Sequence, residues 1–474
     1  MTQPKKNDIV TVDISDFSRD GEGIGHVDAF PVFVKNAVIG DKVLAHITAV
    51  KKNLAYAYVE EILKPSPDRV ESACPVSDKC GGCTLQNLDY PAQIAWKERF
   101  VLETLRRIGH FEKEALLAVS EPIVPVSDPF RYRNKAQFPA GKDASGLPVF
   151  GFYAPHSHRI VPVSDCIIGD AVNKRILAAV KDAMTISGVE AYDEETGTGY
   201  VRHVIIRQNG TGSKILVCIV VNAEEPLSRF RDVLITQFAE IDKIVSASFN
   251  YQTARSNVIL GSRTECFYGK DYIEDTLSGL TFRITAGAFY QVNHEMAEHL
   301  YQTVLSCLSP EDHETVWDLY CGTGTIALTV ARSFAGRVIG VEISPEAIRC
   351  AKENAKINGI SNASFTDGDA SRVRAGNVTE LRLTEEGDIL LPSPDAVIAD
   401  PPRKGLDEAL IHAILQAHPD RIVYVSCDPA TLARDLSRLC ENGYALARIC
   451  PHDMFPMSVH CEVAVLLRRI EKVH

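Results

Sequence analysis

Residues 315–342, TVWDLYCGTGTIALTVARSFAGRVIGVE, decide the fold. An apolar run ends near Asp318, a glycine turn follows at Gly322 and Gly324, and the apolar helical stretch IALTVARSF leads into a second strand, RVIGVEIS. The glycines permit a tight turn and a close backbone approach to a ligand. Glu342 closes the second strand 24 positions beyond Asp318, where an acidic residue can bind ribose hydroxyls. Reading outward, PEAIRCAKENAKING is helical up to Gly359, DAVIADPP is a strand, EALIHAILQAHP a helix, RIVYVSCDP a strand and ATLARDLSRLCENG a helix. This alternation predicts an α/β unit with a doubly wound parallel sheet, its ligands at the carboxyl ends of the strands.

The glycine turn lacks the third glycine of a dinucleotide fingerprint, and its order and spacing fit an adenosylmethionine-type Rossmann-like fold better. Asp400-Pro-Pro-Arg403 ends a later strand, and its tandem prolines stiffen a loop that holds a carboxylate at the cleft. In VYVSCDPATLARDL, Cys427 ends a strand, Asp428 can cap the following helix, and Pro429 suits its first position. A thiol there should feel the helix dipole and have a lowered pKa. HCEVAVLLRR reads as a C-terminal strand, and Glu462 is a carboxylate beside its apolar run that either faces solvent or has a task.

Methylation of a pyrimidine at C5 would use both groups. C5 is a poor nucleophile until a thiolate adds at C6, and a base must then remove the C5 proton so that the thiol can leave. Cys427 and Glu462 can fill those roles. The base being methylated would have to be flipped out or lie in a single-stranded loop.

Upstream, residues 1–66 read as short alternating strands forming a small, OB-like β-barrel. A central unit, 67–90 and 122–280, reads as strand-rich. The helical stretch 91–121, continuous by its spacing from about Tyr90 to Leu117, stands out among strands and is expected to dock on the catalytic unit, 281–474. Cys74-x5-Cys80-x2-Cys83, with two glycines between the last pair, is too compact for chance core packing. Zinc and an iron–sulfur cluster both remain open, with Cys166 in VPVSDCIIGD the candidate fourth ligand. The Cx3Cx2C triad of radical enzymes is absent.

The bulk composition fits this picture. A chain of 474 residues exceeds one core, and 45% hydrophobic with 24% charged residues describes an ordinary globular protein. The 13 cysteines, without a secretory leader or membrane span, point to a reducing cytoplasm, not a disulfide framework. Cys218 and Cys307 lie in apolar runs and read as core. A net charge of −12 excludes indiscriminate coating of nucleic acid but leaves room for local basic stripes. Candidates are Arg131, Arg133 and Lys135, then Arg202, His203 and Arg207, although a solvated strand face explains either equally well.

Together these stretches resemble the bacterial RNA uracil-5-methyltransferases, and within them the 23S rRNA branch that carries a TRAM domain. GEGIGHVDAFPVFVKNAVIGD resembles TRAM, and CxxxxxCGGC with Cys166 resembles that branch's [4Fe-4S] ligands. AGAFYQVN, DLYCGTGT, VIGVE, IADPPR, YVSCDPATLARD and HCE follow in family order. The resemblance implies a cofactor site for S-adenosyl-L-methionine at Gln291, Tyr320, Gly322, Glu342, Asp369 and Asp400. It makes Cys427 the nucleophile, Glu462 the base, and Cys74, Cys80, Cys83 and Cys166 the cluster ligands. The implied partner is 23S rRNA with a flipped-out uridine, with no membrane and no obligate protein partner. TRAM and the cysteines would separate the chain from tRNA-modifying members, expected to resemble only its latter part.

Three other readings compete: a tRNA uridine-54 C5-methyltransferase, an amino-group methyltransferase, and a non-catalytic RNA-binding iron–sulfur protein. Arg403 replaces the aromatic residue that an amino-group enzyme carries after its two prolines, and a nucleophilic cysteine would be idle there. The non-catalytic reading explains residues 1–280 but leaves the C-terminal residues without a task.

Overall fold

The computed structural model describes residues 3–155, 157–385 and 387–470. Its first five strands, from Ile9–Phe17 to Ala55–Lys64, form a closed barrel, the outcome expected from their period-two alternation. Val12, Val32, Val43 and Ile47 fill its interior. The barrel rests on the helix Tyr90–Gly109: Phe17 meets the Trp96 ring edge-on at 5.5 Å, and the indole N–H donates to Asp16 at 2.9 Å.

The helix packs in turn on Pro429–Glu441 of the catalytic unit, where Val101 and Leu105 share a core with Leu432 and Leu436. A Cβ on Gly109 would stand 3.1 Å from the Ala433 carbonyl, so glycine permits this approach. The continuous helix expected to Leu117 is broken: His110 turns left-handed, and a second helix runs from Lys113 to Val119.

The central region holds a seven-stranded sheet and is not purely β. Two helices, Val172–Ser187 and Ser228–Ala239, contribute Val180, Phe230 and Leu234 to its core. The basic residues expected as a surface stripe on the strand Val201–Gln208 are inside instead. Arg202, His203 and Arg207 are buried, Arg202 lying over Tyr192 and donating to the carbonyls of Gln252 and Ala254. A hairpin, Tyr272–Leu277 with Leu280–Thr285, spans position 280/281 and packs into the catalytic core through Ile273, Phe282 and Ile284.

The catalytic sheet runs in the order Ala363–Asp367, Arg337–Glu342, Thr315–Leu319, Ala396–Ala399, Arg421–Ser426, Glu462–Arg469, Tyr444–His452. Five strands are parallel, as the βαβ text predicts, and the last two add an antiparallel edge. The carboxyl ends of the parallel strands therefore meet the start of Glu462–Arg469, which places the groups described next in one cleft.

Candidate active site

The strand Thr315–Leu319 delivers Asp318 and then turns sharply. Tyr320, Gly322 and Gly324 all have positive φ, and the space where a Gly322 Cβ would sit is open. Glu342 lies opposite, accepting the Gly322 amide at 3.2 Å and the Ser344 amide at 2.9 Å. Burial, with Asp407, Asp369 and Asp435 nearby, pushes the Tyr320 phenol up to about 12. Asp369 itself is exposed and caps a short 3-10 turn through the Ser371 amide.

Gln291 lies on another segment, just before the helix His294–Leu308. Its backbone is fixed by Asn134, whose side chain donates to the Gln291 carbonyl at 2.9 Å. Tyr290 beside it donates to Asp275, also at 2.9 Å, and buried Arg207 donates to Ala288 at 2.6 Å. Gln291 is buried among these contacts.

Asp400 stands on the neighbouring strand end, half-buried, and desolvation pushes its carboxyl up to about 7. Asp318 is likewise driven well above the carboxylate range by burial and then by Asp400. Both Asp318 oxygens are buried without a hydrogen-bond partner. Burying ionised carboxylates is expensive unless a cation or donors compensate. A cationic group could compensate such a pair, and in the sequence Asp318 shows only as the end of a strand.

The reacting groups come together by sheet register. Ser426 pairs with Val463 across the antiparallel strands, so Cys427 and Glu462 sit at adjacent strand ends. Glu462 is buried, and burial and then Asp400 raise its pKa well above the ordinary value. Burial, followed by Glu462, pushes the Cys427 thiol up to about 11. The lowered thiol pKa expected from the helix start is therefore overturned. Asp428 caps the helix, accepting the Ala430 and Thr431 amides at 3.0 and 3.4 Å, while carboxylates surround the sulfur.

Arg403 is the cation that opposes this, lowering both the thiol and Glu462. Its loop is pinned to the helix Pro429–Glu441: the Thr431 hydroxyl donates to the Arg403 carbonyl, and Arg434 donates to those of Lys404 and Leu406. Its guanidinium lies 3.5 Å from Nε2 of His460. Only the contrast with an aromatic residue had marked Arg403 in the sequence. Arg19, from the barrel, pairs with Asp428, so a barrel loop lies beside the nucleophile.

Cys74, Cys80, Cys83 and Cys166 line one cavity of about 400 Å³, with Arg133 and Lys135 on its wall. Burial raises Cys80 and Cys166, and with its neighbouring thiols takes Cys83 up to about 12. Among the described residues, no group of three or more His, Cys, Asp or Glu side chains is arranged to hold a metal ion. The cysteine loop also braces the catalytic loop: the Thr84 and Leu85 amides both donate to the Met457 carbonyl, at 2.9 and 3.0 Å. A second cavity, about 470 Å³, lies between Arg19 and Lys35 of the barrel, the cysteine loop and His460.

Residues 234–470 match the family model described as tRNA (uracil-5-)-methyltransferase, and residues 4–59 match the TRAM domain. An uncharacterized RNA methyltransferase of Halalkalibacterium halodurans is 41% identical over 463 residues, covering 97% of each chain. One from Bacillus cereus is 40% identical, covering 100% of this chain and 99% of its own. The crystal structure of Pyrococcus abyssi tRNA (uracil-54, C5)-methyltransferase in complex with S-adenosyl-L-homocysteine matches with a TM-score of 0.74 and 25% identity. That match covers 97% of this chain and 100% of that one. A tRNA-acting enzyme thus resembles the whole chain, which overturns the expectation that such members resemble only its latter part.

Proposed function

Because the chain belongs to the tRNA (uracil-5-)-methyltransferase family and is an S-adenosylmethionine-dependent RNA (uracil-5-)-methyltransferase, we propose that it methylates a uridine of 23S rRNA through Cys427 and Glu462. The observation that carries this reading is the register Ser426 to Val463, which sets a thiol and a buried carboxyl at adjacent strand ends. Cys427 Sγ adds to C6 of the uracil, making C5 nucleophilic. S-adenosylmethionine, when bound, supplies the methyl group on a sulfonium. Glu462 then takes the C5 proton and the Cys427–C6 bond breaks, restoring the aromatic ring and the thiolate. Arg403 holds positive charge beside Cys427 and Glu462 while the thiolate forms.

For the cofactor we assign Gln291, Tyr320, Gly322, Glu342, Asp369 and Asp400, and add Asp318. The unpartnered oxygens of Asp318 and the raised Asp400 suit a sulfonium cation. Since Asp400 titrates at about 7, cation binding below that pH must expel its proton. Affinity for S-adenosylmethionine should therefore rise with pH, by up to about tenfold per unit below pH 7, and Asp318, also raised, extends the rise beyond it. Calorimetric titration between pH 5.5 and 8.5 measures this; a flat profile would remove Asp400 from the site.

Cys74, Cys80, Cys83 and Cys166 are proposed to hold a [4Fe-4S] cluster. What supports the reading is that all four cysteines line one cavity of about 400 Å³, thiolates being ligands of iron–sulfur clusters as of zinc. Anaerobically purified protein should absorb broadly near ~400 nm, lost in Cys83→Ser; a colourless zinc protein would refute this.

Support for rRNA comes from the cysteine set, and the Pyrococcus likeness supports tRNA uridine-54 as the second reading. The slot between barrel and cysteine loop offers a path by which a strand could enter. Among the described residues no helix is long and apolar enough to cross a membrane, and an rRNA substrate would place the reaction in the cytoplasm. Mapping 5-methyluridine in both RNAs of a deletion strain decides: loss from 23S rRNA is expected, and loss from tRNA alone would transfer the assignment.

A further inference from the structure

Two cysteines outside the methyl-transfer chemistry meet where the helix His294–Leu308 packs on the edge strand Tyr444–His452. Cys307 and Cys450 are both buried, and Arg448 and Glu121 bridge their thiols. A cation and a carboxylate serve them. Arg448 places Nη1 3.6 Å from Cys307 Sγ and 2.7 Å from the Ser306 hydroxyl. Its Nη2 donates to Glu121 Oε2 at 3.0 Å, and that same oxygen accepts from Cys450 Sγ at 3.4 Å.

This division of labour makes the two sulfurs unlike. Cys450 beside it and then Arg448 outweigh burial and bring Cys307 down to about 7, while Cys450 is pushed up. Buried Cys218 and Cys461, each with a lysine near but no arginine hydrogen-bonded to the sulfur, go up to about 11 and 12 by burial. His452, the neighbouring imidazole, is pushed down to about 4 by burial and adds no charge. Arg448 is about a third exposed and forms the solvent side of the cluster. A stabilised thiolate beside a protonated thiol is the arrangement of an attacking and a resolving cysteine.

We propose that Cys307 and Cys450 form a peroxide-reactive dithiol, with Cys307 attacking a hydroperoxide and Cys450 closing a reversible disulfide. Sγ of Cys307 attacks the terminal oxygen; the S–O bond forms, the O–O bond breaks, and the departing oxygen takes a proton and leaves as water or alcohol. Cys307 is now a sulfenic acid, oxidised by two electrons. Cys450 gives its proton to Glu121, and its sulfur displaces hydroxide from the sulfenic sulfur. The hydroxide takes that proton and leaves as water. The two electrons lost by the thiol pair are those gained by the hydroperoxide.

The test treats the purified full chain with limiting hydrogen peroxide, blocks free thiols, and maps peptides by non-reducing mass spectrometry. A Cys307–Cys450 disulfide is expected before any other pair outside the cysteine cavity, reversed by dithiothreitol. In Cys450→Ser, dimedone should instead label Cys307, and Arg448→Gln should slow disulfide formation by roughly tenfold or more. Cys307 remaining reduced while half-exposed Cys266 is oxidised would overturn the proposal. So would dimedone labelling of Cys450 in Cys307→Ser at the rate seen for Cys307 in Cys450→Ser.

Discussion

Replacing Cys427 with alanine is expected to reduce methyl transfer by roughly 10⁴-fold or more, the scale on which enzymes lose rate when a covalent nucleophile is removed. Tritium release from RNA labelled at uridine C5 should fall with it, because the C5 proton becomes acidic only after C6 has been attacked. Binding of S-adenosylmethionine should survive, since Asp318, Asp400 and Glu342 come from other strands. The size of the effect follows from the environment. The thiol is held at about 11 by burial, Glu462 and the aspartates, and Arg403 opposes them. Serine at 427 would keep the volume but not the nucleophilicity, so it should be as inactive as alanine. Tritium release persisting within tenfold of the wild type would exclude a covalent role for this residue.

The second large effect is the reverse in kind. Glu462→Gln should accumulate an RNA–protein adduct that resists denaturant, with turnover lowered by roughly 10²–10⁴-fold, the usual contribution of a general base. Glutamine keeps the shape but cannot take the C5 proton, so the Cys427–C6 bond has no route to break. It also removes the group that, after burial, does most to raise the thiol pKa, so addition should remain possible. In the intact enzyme Glu462 must be ionised to act, and its pKa is raised by burial and Asp400. The breakdown step should therefore quicken as pH rises. A freely turning-over Glu462→Gln enzyme, with no adduct on any RNA, would assign the base elsewhere.

The catalytic sheet was legible because its local signals agree. Ser344-Pro345 and Asp428-Pro429 cap and open helices as their residue types suggest, and the glycine turn adopts the positive φ it needs. The helices of the central unit were missed for a comparable reason. Ala171 and Leu227 stand at their N-cap positions and make no side-chain cap, so nothing local announces a start. The strand Val201–Gln208 misled because both its faces are covered, which turns Arg202 and Arg207 into interior residues. Nor did the helix start at Pro429 reveal the state of Cys427. Glu462 and Asp400, which oppose the thiolate, are distant in sequence and reach it only through strand register. Asp318 and Arg403 acquire their weight in the same way.

The most direct measurement is the mass of the peptide carrying Cys427. It would be recovered from Glu462→Gln after incubation with 23S rRNA and S-adenosylmethionine, then nuclease digestion. A methylated uridine nucleotide attached to Cys427 is the expected result. An unmodified Cys427 peptide, from a reaction in which the wild-type enzyme methylates the same RNA, would contradict the account.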